Sequence, residues 1–231
     1  MTRPRVLLSW SSGKDSAWAL HTLRQRTDVE VVGLLTTVNE TFGRVAMHGV
    51  RESLLGAQAA AVGLPLWKVP LPWPCPNELY EERFSALIER ARKAGIERVA
   101  FGDLHLEDIR AYRIRQLSGS GIEALFPIWT SPAATPALAR RMLASGLRAV
   151  LSCVDPKQAP AHLAGRQFDA RLLDELPPGV DPCGERGEFH TFCYDGPMFA
   201  EPLAVRVGDV VTRDGFCFAD LRLATQESEW S

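Results

Sequence analysis

The sequence has no run of about 18 apolar residues, the length a membrane-crossing helix needs, so no membrane partner is expected. Cysteine is scarce. Cys75, Cys153, Cys183, Cys193 and Cys217 are odd in number and contain no CxxC pair, so reduced thiols are expected and no spacing supports a zinc site. Neither sign of charge dominates: 26 Lys+Arg stand against 28 Asp+Glu, a net charge of -2. That balance argues against a protein held to nucleic acid by bulk electrostatics, though a local basic patch remains open. Lysine occurs only at Lys14, Lys68, Lys93 and Lys157, a bias from which no function is read. Internal repeats, low-complexity tracts and a cleavable-signal pattern are all missing, and a cytoplasmic location is the expectation.

What is present is ordinary for a soluble globular chain. Of 231 residues, 46% are hydrophobic and 23% charged. That length suits one large domain, or one with a small appendage, at about 100–200 residues per domain. Such a chain buries roughly 70–75% of its unfolded surface and needs no metal or disulfide staple.

Apolar runs at 5–10, 29–36, 65–69, 97–102 and 123–126 read as short strands. Between them, residues 15–25, 50–62, 77–94 and 106–117 read as helices, two of which stop at Gly63 and Gly95. Strands alternating with helices of this length predict parallel strands joined by helical crossovers, a doubly wound α/β sheet. Ligands of such sheets bind at the carboxyl ends of the strands. The places to look are therefore the loops after residues 10, 36, 69 and 102. After Pro127 the character changes. We divide the chain into 1–129 and a smaller α+β domain, 130–231, with a helix near 135–145 and a strand near 147–152. Its tail, 203–223, alternates around Asp214-Gly215, a β-hairpin signal.

The loop after the first strand is the most informative stretch: Ser9-Trp10-Ser11-Ser12-Gly13-Lys14-Asp15-Ser16. It opens a helix whose first-turn N–H groups and dipole favour an anion. Ser9, Ser11, Ser12 and Ser16 add hydroxyls, Gly13 permits close approach, and Lys14 adds positive charge. Asp15 would repel phosphate unless a divalent cation lay between, so it points to Mg²⁺. A kinase-type phosphate loop is excluded, because Leu8 replaces its first glycine and Asp15 stands where Ser or Thr should follow the lysine.

Two further stretches carry chemistry. Residues 181–192 read DPCGERGEFHTF. If 188–192 is extended, Glu188 and His190 share a face and pair a carboxylate with an imidazole. A charged turn before an ordinary strand is the plain alternative. The other stretch carries Phe101-Gly102-Asp103, then Arg110 and Arg113, then Pro127-Ile128-Trp129. Asp103 ends a strand facing the expected crevice, where it could bind Mg²⁺, a ribose or an acceptor, or merely cap a helix. Arg110 and Arg113 share a helical face and could clamp an anion, or be solvated. A third feature is a Pro/Trp loop (Pro70, Pro72, Trp73, Pro74, Pro76, with Trp67 before it), suited to lining the adenine pocket, to a lid or to packing.

SSGKDS at 11–16 resembles the PP-loop of ATP pyrophosphatases, usually SGGxDS, with Ser12 in place of the second glycine. Added to it are Met47-His48, FGD at 101–103, PIW at 127–129, LAGR at 163–166 with Phe168-Asp169, and CGERGEFHTF at 183–192. Together they resemble the diphthine–ammonia ligase family, with its adenine nucleotide α-hydrolase-like, HUP-type ATP-binding domain. The resemblance implies an ATP-dependent amide ligase. A carboxylate is adenylated, pyrophosphate leaves, and ammonia attacks to give amide and AMP. It implies ATP and Mg²⁺ as cofactors, with Ser9, Ser11, Ser12, Gly13, Lys14, Asp15, Ser16, His48 and Gly102 around the nucleotide and Asp15 on the metal. Lys14, Asp15, Asp103, Glu185, Glu188 and His190 would be the catalytic set, with Glu188 orienting or deprotonating ammonium. The acceptor would be a carboxylate on a small molecule or on a protein such as elongation factor 2. Free ammonia is the simplest nitrogen source.

Two other readings compete. A nucleotide-binding sensor would need the phosphate loop but not Glu185, Glu188 and His190. A PP-loop enzyme of tRNA would fit poorly with unpaired cysteines and mild acidity, and nucleic acid is not expected as a partner. A homodimer is compatible with the sequence, which contains nothing that fixes one.

Overall fold

The computed structural model describes residues 2–45 and 48–224. Met47 and the last seven residues of the 130–231 segment lie outside the described residues. The first half of the chain runs β1 (Arg5–Ser9), α1 (Lys14–Arg24), β2 (Glu30–Asn39), β3 (Arg44–Val45), α2 (Glu52–Ala61), β4 (Leu66–Leu71), α3 (Asn77–Lys93), β5 (Arg98–Ala100), α4 (Glu107–Leu117) and β6 (Glu123–Leu125). The second half runs α5 (Thr135–Ala144), β7 (Arg148–Val154), β8 (Gln167–Phe168), α6 (Ala170–Glu175), β9 (Phe189–Asp195), β10 (Val205–Arg213) and β11 (Phe216–Leu223).

The first sheet is parallel in the order β4-β2-β1-β5-β6, with β3 a short antiparallel addition at the end of β2. This is the doubly wound α/β arrangement that the alternation of strands and helices predicts. β1 is central because both its faces are apolar: Val6 and Leu8 enter one hydrophobic cluster and Leu7 the other. Leu34 and Leu35, and likewise Ala100 and Val99, divide the same way. One face is covered by α3 and α4 through Phe84, Leu87, Ile88 and Leu117. The other is covered by α1 and α2 and by the inner face of the second sheet. The chain winds outward through β2 and β4, then returns to the opposite side of β1 at β5. The crevice at that switch point opens beyond the carboxyl ends of β1 and β5.

The second sheet is antiparallel, in the order β10-β11-β7-β8, with β9 on the other side of β7. β10 and β11 turn at Asp214 (φ 51°) and Gly215 (φ 83°), the pair of left-handed residues a type I′ hairpin requires. Three ties lock this sheet to the first. Cys193 N–H donates to Ser12 O at 2.9 Å, and Arg24 Nη1 donates to Met198 O at 2.8 Å. Asp220 on β11 accepts from Arg44 at 3.0 Å and Arg51 at 2.9 Å, and these with Arg222 hold its carboxyl well below the ordinary range. No helix among the described residues is long and apolar enough to cross a membrane.

Candidate active site

The loop from Ser9 to Ser16 is set by its two neighbours. Gly13 is the N-cap of α1, and an added Cβ there would lie 3.1 Å from the His48 ring and 3.2 Å from Thr191 O. Gly102 is needed for the same reason: its Cβ would lie 3.0 Å from the Ser16 amide nitrogen. The β5 loop can therefore lie directly against the first turn of α1. Ser12 has φ 70°, the left-handed region, where a glycine would be unstrained. Its hydroxyl is buried without a hydrogen-bond partner. Ser12→Gly relieves about 1–2 kcal/mol of backbone strain against about 0.5–1 kcal/mol of extra unfolded-chain entropy. The melting temperature is expected to rise by about 2–4 °C per kcal/mol gained. An unchanged or lowered Tm on thermal denaturation would show that the loop depends on the serine side chain.

A cleft of about 550 Å³ gathers residues from every expected loop. Ser9, Ser11, Lys14, Asp15 and Ser16 line it from the β1 loop, Thr36 and Thr37 from β2, Gly102 and Asp103 from β5, and Glu185 and His190 from the second half of the chain. His48 also lines it. One end is apolar, with Leu35, Val69, Tyr80, Phe84 and Phe101. Ser12 and Gly13 shape the loop from behind rather than line the cleft.

Lys14 is buried and bridges the two halves. Its Nζ donates to Asp15 Oδ2 at 2.9 Å and to the carbonyl oxygen of Cys183, between the rings of Phe168 and Phe189. Burial alone would depress its pKa, but Asp15 beside it outweighs that and the ammonium is held above its ordinary value. Burial pushes the Asp15 carboxyl up, against the pull of Lys14. The other Asp15 oxygen, Oδ1, is buried without a partner. Of the first-turn amides expected to meet an anion, that of Lys14 instead donates to Thr191 Oγ1 at 3.0 Å.

The turn 181–188 packs against the β5 loop. Glu185 Oε1 accepts from Leu104 N–H at 2.7 Å, and its carboxyl is raised to about 7 by burial and then by Asp15. Asp103 is raised by burial and held by Arg113 at 3.5 Å. His105 Nε2 and Asp181 Oδ2, both deeply buried, meet at 3.0 Å and join the two loops. The sequence did not indicate that pair: Asp181 opens the 181–192 stretch, but His105, 76 positions earlier, belongs to no motif.

Two expectations are corrected. Glu188 does not share a face with His190 and does not line the cleft; its oxygens accept from Asp181 N–H and Arg186 N–H, both at 2.9 Å. It lies in the bend before β9, where strand alternation has not begun. His190 instead lies 4.6 Å from the His48 ring, and burial followed by Lys14 lowers it to about 4, so it is neutral at physiological pH. Arg110 and Arg113 do share a face of α4, over the contiguous Phe101, Phe126 and Trp129 rings, but they do not form a clamp in the cleft. Arg113 lines the cleft over Phe101, whereas Arg110 stacks on Trp129 at 4.7 Å.

A second cavity of about 290 Å³ adjoins the first and shares Val45, Leu71 and His190 with it. Its walls are aromatic: Phe42, Trp73, Phe216 and Phe218. Trp73, in the Pro/Trp loop, is 60% exposed at its edge, whereas Trp67 packs under Arg90.

The parallel sheet, the serine-rich loop at its switch point and the carboxylates facing that loop define an α/β protein of the phosphate-loop, nucleotide-binding class. Within that class the chain belongs to the diphthamide synthase family, whose N-terminal domain model matches residues 4–121 and whose C-terminal domain model matches residues 135–222. It is similar to the diphthine–ammonia ligase of Danio rerio, 27% identical over 245 residues, covering 93% of this chain and 91% of that protein. It is also similar to the diphthine–ammonia ligase of Bos taurus, 25% identical over 181 residues. That match covers 70% of this chain and only 65% of the bovine protein's length.

Proposed function

We propose that the chain is an ATP-dependent ligase that adenylates a carboxylate and transfers ammonia to it, releasing AMP and pyrophosphate. The observation that carries this reading is the convergence in one cleft of the Lys14–Asp15 pair with Glu185 from the opposite half of the chain. A phosphate-binding module alone would not need a second carboxylate of raised pKa facing the loop. The cleft volume falls in the range of nucleotide-sized ligand sites, about 300–1,000 Å³.

In this reading the apolar end takes the adenine, and Ser9, Ser11 and Ser16 with Lys14 take the phosphates. Donors fixed in advance stabilise the charge that grows on departing pyrophosphate. The unpartnered Asp15 Oδ1 suits a divalent cation, and with no cluster of three ligating side chains among the described residues, Mg²⁺ would be held by Asp15, phosphate and water. When bound, the ion neutralises phosphate charge. Glu185, rather than Glu188, takes the proton from ammonium, with Asp103 as a second carboxylate beside it. His48 and His190, both uncharged, can accept or donate a hydrogen bond without repelling Lys14. The acceptor's body enters through the aromatic cavity and reaches the first cleft past His190. Its identity is the diphthine of the relatives' names, carried on elongation factor 2, in a cytoplasmic setting.

Incubation with ATP, Mg²⁺, ammonium and diphthine-bearing elongation factor 2 is the test. AMP and pyrophosphate formed in step with amide support the reading. ADP and phosphate would overturn α–β cleavage. AMP that appears only with another acceptor would keep the ligase and replace the substrate.

A further inference from the structure

Beneath the phosphate loop lies a side chain that no motif singled out. Gln58 of α2 is completely buried. A buried carboxamide has two N–H donors and an acceptor to satisfy. Its Nε2 donates to Ser12 O at 2.9 Å and to Cys193 O at 2.5 Å, while Oε1 accepts from Trp10 Nε1 at 2.9 Å. The three partners are the residue entering the loop, the left-handed residue within it, and the β9 strand beside it.

The loop's own bonds centre on Ser11, Gly13 and Ser16, with Ser16 Oγ donating to Gly13 O at 2.9 Å. Ser11 and Ser16 hydroxyls meet at 3.3 Å, and Gly13 N–H reaches Ser11 Oγ only at 3.4 Å. Ser12, by contrast, is in a conformation that its Cβ disfavours, and its hydroxyl makes no bond that would compensate. Its carbonyl is gripped twice, by Gln58 and by Cys193 N–H. β9 also carries Thr191 and His190, which face the same loop and cleft.

We infer that Gln58 is a positioning residue that holds Ser12 left-handed, so that the loop presents Ser11, Lys14 and Asp15 to the phosphates in register with β9. This rests on the proposed reading that the loop binds ATP. An ordinary core glutamine would stabilise the fold without any special link to the conformation of residue 12.

The test is a double-mutant cycle between Gln58→Met and Ser12→Gly, read by calorimetric ATP binding and by thermal unfolding. Glycine reaches positive φ freely, so it needs no restraint. Gln58→Met is expected to weaken ATP binding about tenfold, the scale of left-handed strain in a non-glycine residue. In the Ser12→Gly background the same change is expected to cost about twofold or less. Equal losses in both backgrounds, or no loss in either, would overturn the inference. If Gln58→Met does not fold, Trp10→Phe removes the Oε1 anchor and also shrinks a buried side chain that lines the cleft, a cost common to both backgrounds; the total loss should still shrink in the glycine background, and an undiminished loss would overturn the inference. Should the wild-type chain bind no ATP, the nucleotide reading fails by itself. The Tm values still decide this inference: a smaller drop in the glycine background supports it and additive drops refute it.

Discussion

Asp15→Asn is expected to slow AMP formation at least about a thousandfold while leaving a folded protein. The side chain keeps its size and still offers an oxygen to Lys14 Nζ, which retains the carbonyl of Cys183 as a second partner. What disappears is the negative charge at Oδ1, the buried oxygen with no protein partner. A divalent cation held by Asp15 would supply several kcal/mol of charge neutralisation, and losing about 4 kcal/mol corresponds to about a thousandfold in rate. The variant should also need far more Mg²⁺ for half-maximal turnover. A Mg²⁺ titration of AMP release separates the outcomes. A wild-type rate at the wild-type Mg²⁺ requirement would mean that Asp15 only pairs with Lys14.

The first half of the fold was legible because each level of its sequence agrees with the next. Residues 6–8 are apolar on both faces, as a central parallel strand must be, and Gly63 and Gly95 stop their helices at φ 67° and 74°. The two-residue strands β3 and β8 are too short for any period to register. The site was legible where one motif carries both chemistry and position, as in SSGKDS.

Legibility failed where position depends on a bend. Glu188 and His190 are two apart, which in a strand means one face, but the left-handed Gly187 at φ 87° precedes them and Glu188 turns inward to brace 181–186. Arg110 and Arg113 do share a face of α4, as their spacing implies, but Arg110 is held over Phe126 and Trp129 and only Arg113 reaches the cleft. Gln58 lies in an alanine-rich stretch and looks like a solvated helix position. Only the return of β9 beneath the loop gives its amide three partners.

Glu185→Gln should produce opposite effects on turnover and stability. Glutamine keeps the oxygen that accepts from Leu104 N–H, so the turn should stay in place. It cannot take a proton, and loss of a positioned general base typically costs 10²–10⁴-fold, so amide formation with ammonium should fall by about that factor while ATP binding changes little. In the wild type the rate should rise as Glu185 ionises, through about pH 7, and this limb should vanish in the variant. Stability moves the other way. The wild-type carboxyl is raised to about 7 in the fold from 4.5 in the unfolded chain. The folded state thus binds a proton that the unfolded chain has released between those values. That advantage is complete below about 4.5 and is lost as pH rises through 7. The nucleotide-free, metal-free variant should therefore match the wild type near pH 4 and be more stable at pH 8. About 2 kcal/mol is expected after screening at an open cleft, or roughly 4–8 °C in Tm. Thermal unfolding across that pH range, beside the ammonium-dependent rate, measures both effects. A variant no more stable than wild type at pH 8 would mean that the Glu185 carboxyl is not strained by its burial. A variant with full ammonia-dependent activity would move the proton acceptor elsewhere in the cleft, and Asp103, which burial also raises and which does not pair with Lys14, would be the next residue to replace.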